Sequence, residues 1–435
     1  MRTKLTAACS SEARVRSGTR IACGLAATGL LVALSGCGNG DPNSLGGGGS
    51  WDPSTAGAGN GGSDPGSPGA GGTPNSSQGG NGSDPNASSN PNIDQRQINY
   101  GEALRTASLK LVGDLPTLAD VNGVVGASDP KSAYEAKIDA LLADPRFTVH
   151  QIQWWRDTLK TGAPGMSTKS GMPDFDAAAT FATEVVVNDR PYTDLFTAST
   201  NTCPKFSNGT FADQSCPGSQ PTAGLLTDPG LMSQYYANMA FRRIRFIQET
   251  FVCSKFPAEY SPTPKVMGAG AYTSPWDFNS ITGGTSAKIN FQDTSAVVCA
   301  NCHTTLNHQA PLFGHFDASG VYDATKFQVQ VPSAGTPTAT LADWLPSGQQ
   351  LAWRNGQTVT DLPSYGKAVA ADPAVAQCIV TREWNYAMSR GDVVNDLATV
   401  PSVVTDPLVK DFTTNGLKVK RLIRNIFTSD DFVKF

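Results

Sequence analysis

The sequence predicts a mainly α protein, in which a multi-helical body with minor β structure follows a disordered tether. From about residue 98 onward, apolar residues recur at the three- and four-residue spacing of a buried helix face. Prolines such as Pro116 and Pro145 interrupt these runs where the chain must turn. The segment 38–92 has almost nothing to bury, since Trp51 is its only aromatic residue, and we expect it to be disordered.

The amino terminus has the pattern of a secretory signal. Basic residues within 1–20 precede an apolar run, Ile21–Leu34, that is too short to span a bilayer comfortably. The Leu-Ser-Gly-Cys sequence at 34–37 resembles a bacterial lipobox, so we expect cleavage before Cys37, lipidation of its thiol and stable anchoring. An ordinary signal peptide with an incidental cysteine is the alternative. The expected location is the bacterial cell envelope, with the outer membrane favoured and its periplasmic or surface side left open.

The folded body begins with helical patterns at Ala103–Val112, Ala133–Leu142, Ile152–Arg156 and Ala177–Val187. A long amphipathic helix is then predicted from Gly230 to Val252. Its arginines are candidates to bind an acidic partner or cofactor group, but a solvated face is favoured.

Residues 299–303 read Cys-Ala-Asn-Cys-His, the attachment signature of a c-type haem. The chemistry fixes this spacing, because two thiols add to the two vinyl groups of one haem and the next histidine then lies beneath the iron. We therefore expect one covalent haem c on Cys299 and Cys302, with His303 as the proximal iron ligand. The alternatives are a zinc site, through both thiolates with His303 or His308, and a plain Cys299–Cys302 disulfide.

The sixth iron ligand decides what such a haem does. A methionine raises the reduction potential, a second histidine generally lowers it, and an open position permits small-molecule chemistry. Met267 and Met388 are the favoured candidates, with His315 behind them. His308 is so close to His303 in sequence that it reaches the opposite haem face awkwardly. The sixth ligand is therefore left open.

The rest of the body follows the motif. A short strand-prone region near Val321–Val331 precedes helical spacing at 362–390 and 404–428. We expect five segments: a lipoprotein signal peptide (1–36), the lipidated cysteine and tether (37–95), an N-terminal helical module (96–205), the arginine-rich helix with the haem c segment (206–328), and a short β region with a C-terminal helical module (329–435).

The cysteine count fits an exported protein. Of nine cysteines, two leave with the signal, one takes lipid and two take haem, which leaves an even number for disulfides. Three pairings are possible; local loop closure favours Cys203–Cys216, and the second disulfide is then Cys253–Cys378. The formal net charge of -4 argues against nucleic acid as a partner.

Several motifs occur in a characteristic order. Residues 105–117 read RTASLKLVGDLPT and residues 143–147 read ADPRF, and two tryptophans follow at 154 and 155. Phe316, Asp317 and Gly320 then follow the Cys-x-x-Cys-His motif. This order resembles the planctomycete-type cytochrome c family, large exported haem-motif proteins of planctomycetes and myxobacteria that are largely uncharacterised. The resemblance implies the fold and the cofactor far more than a role.

The chain departs from that family pattern beside the haem motif. Asn307 and His308 stand where the family has Asp-Pro, Ala310 replaces a glycine, and Gly314 replaces a glutamate. We expect these changes to alter the surroundings of the motif.

From these observations we expect a membrane-anchored c-type cytochrome that carries one covalent haem and transfers electrons to a redox protein partner in the cell envelope. No serine-hydrolase, P-loop or H-E-x-x-H motif competes with this interpretation. One alternative is a haem-dependent oxidoreductase or peroxidase with an open sixth position, since the body is far larger than an electron carrier needs. Another is a surface binding or scaffold lipoprotein with structural haem. The sequence leaves open whether the protein is an enzyme.

Overall fold

The computed structural model describes residues 95–161, 172–256, 297–331, 338–354 and 356–435, together with the strand residues 266–267 and 270–271. Of residues 297–301 only the backbone course is described. The predicted signal peptide, Cys37 and nearly all of the tether lie outside these residues. The fold is mainly helical, as the sequence predicts.

In the first module, the first and third helices lie where the periodicity predicts them, the second was not predicted, and the fourth begins at Pro145, seven residues before the predicted Ile152. Their starts have recognisable signals. Asp129 and Asp144 accept backbone N–H groups at the starts of the third and fourth helices, and a proline fills the first turn of each. Gly113 ends the first helix in the left-handed conformation. The bounds are α1 Tyr100–Val112, α2 Leu118–Val125, α3 Pro130–Ala143 and α4 Pro145–Leu159.

The middle of the described chain combines short helices with two small antiparallel hairpins. Helix α5 packs against α4 and has ten buried residues, so it lies in the middle of the main core. The bounds are α5 Ala177–Val187, α6 Asp194–Thr197, β1 Lys205–Ser207, β2 Thr210–Ala212, α7 Pro229–Gln234, a 3-10 turn at Asn238–Ala240, α8 Phe241–Phe251, β3 Val266–Met267 and β4 Gly270–Ala271.

The single helix predicted from Gly230 to Val252 is wrong, because the chain breaks between α7 and α8. Met239 and Ala240 adopt positive φ values of 62° and 56°, a conformation that costs non-glycine residues about 1–2 kcal/mol each. Tertiary hydrogen bonds offset that cost. The Met239 N–H donates to the Gln330 carbonyl at 3.2 Å, and the Trp344 indole N–H donates to the Met239 carbonyl at 2.9 Å. These partners lie about 90 to 105 residues downstream.

The second half of the chain is helical at 362–390 and 404–428, as predicted. The bounds are α9 Val297–Phe313, a 3-10 turn at Leu341–Asp343, α10 Leu362–Ala371, α11 Pro373–Ala387, α12 Ser402–Thr414, α13 Val419–Phe427 and α14 Asp430–Val433. No helix among the described residues is long and apolar enough to cross a membrane.

The predicted strand near Val321–Val331 is wrong: the described part of that region makes only isolated bridges. The Gln328 and Val329 N–H groups both donate to the Gly314 carbonyl at the end of α9. Because these donors bond to the helix terminus, they do not form a ladder with a second strand.

Two disulfides join distant or looped parts of the chain, in the pairing that loop closure favours. Cys203–Cys216 closes the β1–β2 hairpin, and Cys253–Cys378 ties the end of α8 to α11 across a sequence separation of 125. The two ends of the body also meet, since Gln97 and Phe435 exchange backbone hydrogen bonds of 2.9 Å.

Candidate functional site

The Cys-x-x-Cys-His motif lies on α9. At about 100° per residue, positions 299, 302 and 303 fall within an arc of roughly 100° on one helix face. Cys302 is half-buried and packs against the main core, while the Cys299 side chain lies outside the described residues. The helix thus presents the two cysteine positions and the histidine on the same side, which is the arrangement that the motif needs.

His303 is half-buried and held from two sides. Its ring contacts Phe241 of α8 edge-to-face, with ring centroids 4.9 Å apart, and its Nδ1 lies 3.4 Å from the Asn307 Oδ1. With the proton on Nδ1, the imidazole donates to Asn307 and leaves the Nε2 lone pair for a metal. Burial lowers the pKa of His303, and the Asn307 contact opposes that shift. The imidazole is therefore neutral at pH 7, the form that binds iron.

These donors fit a c-type haem. A neutral imidazole and two cysteine positions share one helix face, and Asn307, one helical turn from His303, fixes the tautomer. Asn307 is one of the positions at which the chain departs from the family pattern. Asn307 lies four residues after His303, a spacing that places the two side chains next to each other on a helix. This signal is present in the sequence, but motif matching does not use it.

His308 is directed away from this face. Five residues along a helix correspond to about 140° of rotation from His303. The side chain is buried, and its Nδ1 lies 2.5 Å from the Thr304 carbonyl. Burial lowers the pKa of His308, while the hydrogen bond that the imidazole donates to the Thr304 carbonyl and its hydrogen bond with the Gln349 side chain oppose the shift. His308 therefore has a packing role, and it does not share the face that a zinc site with both thiolates requires.

His315 lies beyond the carboxyl end of α9. Its Nδ1 lies 2.9 Å from the Lys326 carbonyl and 3.2 Å from the Asp323 carbonyl, and its ring stacks on Phe327. The end of α9 is roughly 15 Å along the helix axis from His303. The structure therefore holds His315 away from the motif.

Of the two methionine candidates for the sixth ligand, the structure describes the side chain of Met388 but only the backbone of Met267. Met388 caps the carboxyl end of α11 and packs against the main core. That end of α11 lies against α4, where the Tyr386 hydroxyl is 2.7 Å from the His150 Nε2. The Met267 backbone belongs to β3, and its side chain lies outside the described residues. The sixth ligand stays a prediction.

The expectation that the arginines of α8 form a solvated face is wrong for one of them. Arg242 and Arg245 are exposed, and Arg245 pairs with Glu249. Arg243, by contrast, has 0 % exposure. It occupies the same helix face as Ile247, four residues on, so the helical spacing carried a signal for its burial.

The Arg243 guanidinium donates to backbone carbonyls from three parts of the chain. It bonds Met232 of α7 at 2.6 and 3.0 Å, Phe313 at the end of α9 at 2.6 Å, and Phe316 and Asp317 beyond that end at 3.0 and 2.9 Å. Burial lowers the pKa of Arg243 to about 9, which leaves it cationic at neutral pH. One buried side chain thus fixes the carboxyl end of the motif helix.

Packing at this end explains one departure from the family pattern and one agreement. A side chain at Gly314 would begin 2.8 Å from Phe327 and 3.0 Å from Trp344, so the family's glutamate does not fit here. Gly320 has a φ of 75°, and a Cβ there would lie 2.1 Å from the Pro229 carbonyl oxygen, so glycine is required. Asp317 accepts the Ser319 and Val321 N–H groups and therefore serves as a turn residue.

Comparison with known proteins adds one match. The model of the PSCyt2 family, described as a protein of unknown function (DUF1549), matches residues 88–205. This is a planctomycete cytochrome-c-associated domain, and it covers α1 to α6 but not the motif on α9. Neither a curated protein nor a solved structure matches the chain. The match agrees with the resemblance of the N-terminal module.

Proposed function

We propose that the protein is a c-type cytochrome, with one haem bound covalently through Cys299 and Cys302 and ligated by His303, that transfers electrons in the cell envelope. The observation that carries this proposal is the arrangement of His303, a neutral imidazole on the same face of α9 as both cysteine positions, with Asn307 at its Nδ1. The match to a cytochrome-c-associated domain upstream supports it. The haem, when bound, supplies an iron centre that accepts and donates single electrons.

The chain's own residues would have three tasks at this site. Asn307 orients the imidazole and holds the proton on Nδ1. Phe241 packs against the His303 ring and excludes water from one side of it. Arg243 fixes the far end of α9, so that the ligand-bearing face keeps its direction relative to α7 and α8. A fixed ligand geometry reduces the reorganisation that accompanies electron transfer.

We further propose export, lipidation at Cys37, and attachment to the envelope through the tether. The support is the sequence at the amino terminus: a basic region, a short apolar run and a lipobox-like Leu-Ser-Gly-Cys. The composition of residues 38–92 predicts a flexible segment of about 55 residues, for which the root-mean-square reach is on the order of 40 Å. That length lets the folded body dock with a redox protein partner while the lipid stays in the membrane.

The proposal is tested by producing the protein with c-type haem maturation machinery and staining for haem after denaturing electrophoresis. We expect haem to stay with the polypeptide, and Cys299→Ser/Cys302→Ser to abolish the stain while the protein still folds. His315→Gln is the matched control and should keep the stain. Absence of haem in the parent, with zinc bound instead or with a Cys299–Cys302 disulfide found by mass spectrometry, contradicts the proposal.

Carbon monoxide distinguishes an electron carrier from a small-molecule oxidoreductase. We expect a six-coordinate haem, so the visible spectrum of the reduced protein should not change under carbon monoxide. Rapid binding of carbon monoxide together with peroxidase turnover would favour the enzymatic alternative over electron transfer. The covalent attachment measured by haem staining is unaffected by this outcome.

A further inference from the structure

The two cysteines of the Cys203–Cys216 disulfide differ in exposure. The two cysteines are 13 residues apart in sequence, and the β1–β2 hairpin lies between them. Cys216 is half-buried, whereas Cys203 is only 6 % exposed. An attacking thiol therefore reaches the Cys216 sulfur more readily, and Cys203 is the sulfur that leaves.

A buried carboxyl group stands beside the leaving sulfur. Asp228 is 1 % exposed and begins α7, where its Oδ1 accepts the Leu231 N–H at 2.9 Å. Its other oxygen, Oδ2, lies 3.4 Å from the Cys203 Sγ. A disulfide sulfur has no proton to donate, so a hydrogen bond between these two atoms requires the carboxyl O–H as its donor.

The surroundings of Asp228 favour its protonated form. Burial, assisted by the charge of Asp174 on the segment before α5, raises the pKa of Asp228 to about 7, against the opposing backbone bonds from Leu231 and Gly230. The neighbouring cavity of about 130 Å³ borders Cys203 and is lined by two charged residues, Lys205 of β1 and Asp174. Near neutral pH the carboxyl therefore holds a proton for part of the time.

We propose that Cys203–Cys216 is a redox-active disulfide that exchanges with a dithiol partner, and that Asp228 is the acid that protonates the departing Cys203 sulfur. The site is separate from the motif on α9 and does not depend on haem.

The exchange balances as follows. A partner thiolate attacks the Cys216 sulfur and forms a mixed disulfide, and the electron pair of the broken bond goes to the Cys203 sulfur. The Asp228 carboxyl gives its proton to that sulfur, which leaves a Cys203 thiol. The partner's second thiolate then attacks its own sulfur in the mixed disulfide and releases a Cys216 thiolate. The partner's two thiols lose their protons to water, and Cys216 and Asp228 take up protons from water, so the partner loses two electrons and the protein gains two.

The second disulfide is an internal reference. Cys253 and Cys378 are both buried, at 0 % and 1 % exposure. The Cys253 Sγ lies 3.6 Å from the Cys378 carbonyl oxygen, and the Cys378 Sγ lies 3.5 Å from the Thr250 carbonyl oxygen. This bond has neither an exposed sulfur nor an acid in the contacts described, so reduction there requires unfolding.

The test measures the reduction of each disulfide in the folded full-length protein by dithiothreitol, with alkylation and mass spectrometry. We expect Cys203–Cys216 to react at least about 10-fold faster than Cys253–Cys378. Expressed per dithiothreitol thiolate, its rate constant should fall by about 10-fold between pH 6 and pH 8.5, as Asp228 loses its proton. Equal rates for the two disulfides, or a pH-independent rate constant, overturn the proposal.

Asp228→Asn isolates the acid, because asparagine keeps the helix cap but donates no carboxyl proton. We expect a rate constant about 10-fold below that of the parent at pH 6 and equal to it at pH 8.5. Asp129→Asn makes the same change at the exposed start of α3 and should leave the rate unchanged. An Asp228→Asn protein as fast as the parent at pH 6 contradicts the role of Asp228. If this variant does not fold, the pH profile of the parent still decides.

Discussion

The two ends of the motif helix α9 are held in different ways. At the carboxyl end, the fully buried Arg243 donates to the carbonyls of Phe313 and Phe316 and joins them to α7. Near the amino end, Cys302 and His303 are only half-buried, and the neighbours of His303 include the Phe241 ring and the Asn307 amide. The comparison teaches that hydrogen bonds to backbone carbonyls fix the helix at one end, while the motif side chains at the other end stay partly exposed.

Removing the buried guanidinium should have the largest effect on the fixed end. Arg243→Met leaves the carbonyls of Met232, Phe313, Phe316 and Asp317 without their donor in a buried site. We expect the free energy of unfolding in urea to fall by about 3–5 kcal/mol. Arg242→Met, at the adjacent exposed position, should cost less than about 1 kcal/mol. Similar losses for both variants would mean that Arg243 does not anchor α9.

The turn after α9 should be the next most sensitive feature. Gly320→Ala adds both the cost of a positive φ and a Cβ that lies 2.1 Å from the Pro229 carbonyl oxygen, so we expect a loss of about 3 kcal/mol or more. Gly348 has a φ of 89° and open space around it. Gly348→Ala should therefore cost only about 1 kcal/mol, the conformational part alone. Thermal unfolding of both variants measures the difference, and equal shifts would exclude the contact with Pro229.

Glu383 of α11 is a buried ionisable group without the compensation that Arg243 receives. It is 1 % exposed, no described residue forms a hydrogen bond with its Oε1, and burial raises its pKa to about 8. Because the folded protein binds this proton more tightly than the unfolded chain, the glutamate reduces stability progressively between about pH 4.5 and pH 8.

Glu383→Gln removes this titration. We expect urea unfolding to show the variant and the parent close to each other at pH 5, with the variant more stable by at least about 1.4 kcal/mol at pH 9. Glu102→Gln, at an exposed ion pair, should change stability by less than about 0.5 kcal/mol at either pH. A parent with the same pH dependence as Glu383→Gln would show that this carboxyl is not desolvated.

The smallest expected effect lies at the motif end. Asn307→Val removes the oxygen beside the His303 Nδ1 without disturbing the carboxyl end of α9. We expect covalent haem attachment to persist and added imidazole to displace His303 at about 10-fold lower concentration. The visible spectrum during an imidazole titration reports this displacement. An unchanged titration would assign the orientation of His303 to other contacts.

Most of the helices could be predicted from the sequence, because local signals determine them. Asp-Pro pairs mark the starts of α3, α4, α7 and α11, and the apolar spacing of α1 and α5 needs no distant partner. The break at Met239 could not be predicted in this way, since the hydrogen bonds that stabilise it come from Gln330 and Trp344. For Arg243 the sequence gives opposing signals, since its charge indicates exposure and its helical spacing from Ile247 indicates burial. The backbone carbonyls that converge on the guanidinium make burial favourable.

The motif residues could be read from spacing, because the covalent chemistry of the cofactor dictates their positions. The orientation of His303 by Asn307, and the pairing of Asp228 with Cys203, depend on which side chains the folded chain brings together. No such spacing rule applies to the sixth ligand of the proposed haem, because a residue anywhere in the chain can supply it if it reaches the opposite face.

Covalent haem at residues 299–303 is the central claim, and a peptide map tests it most directly. Trypsin should release residues 289–326 as one peptide, because the chain has no lysine or arginine between Lys288 and Lys326. From protein produced with maturation machinery, we expect this peptide to carry the mass of one haem, and the same peptide from Cys299→Ser/Cys302→Ser to carry none. A parent peptide without haem, recovered from cells that load another c-type cytochrome, would contradict the account.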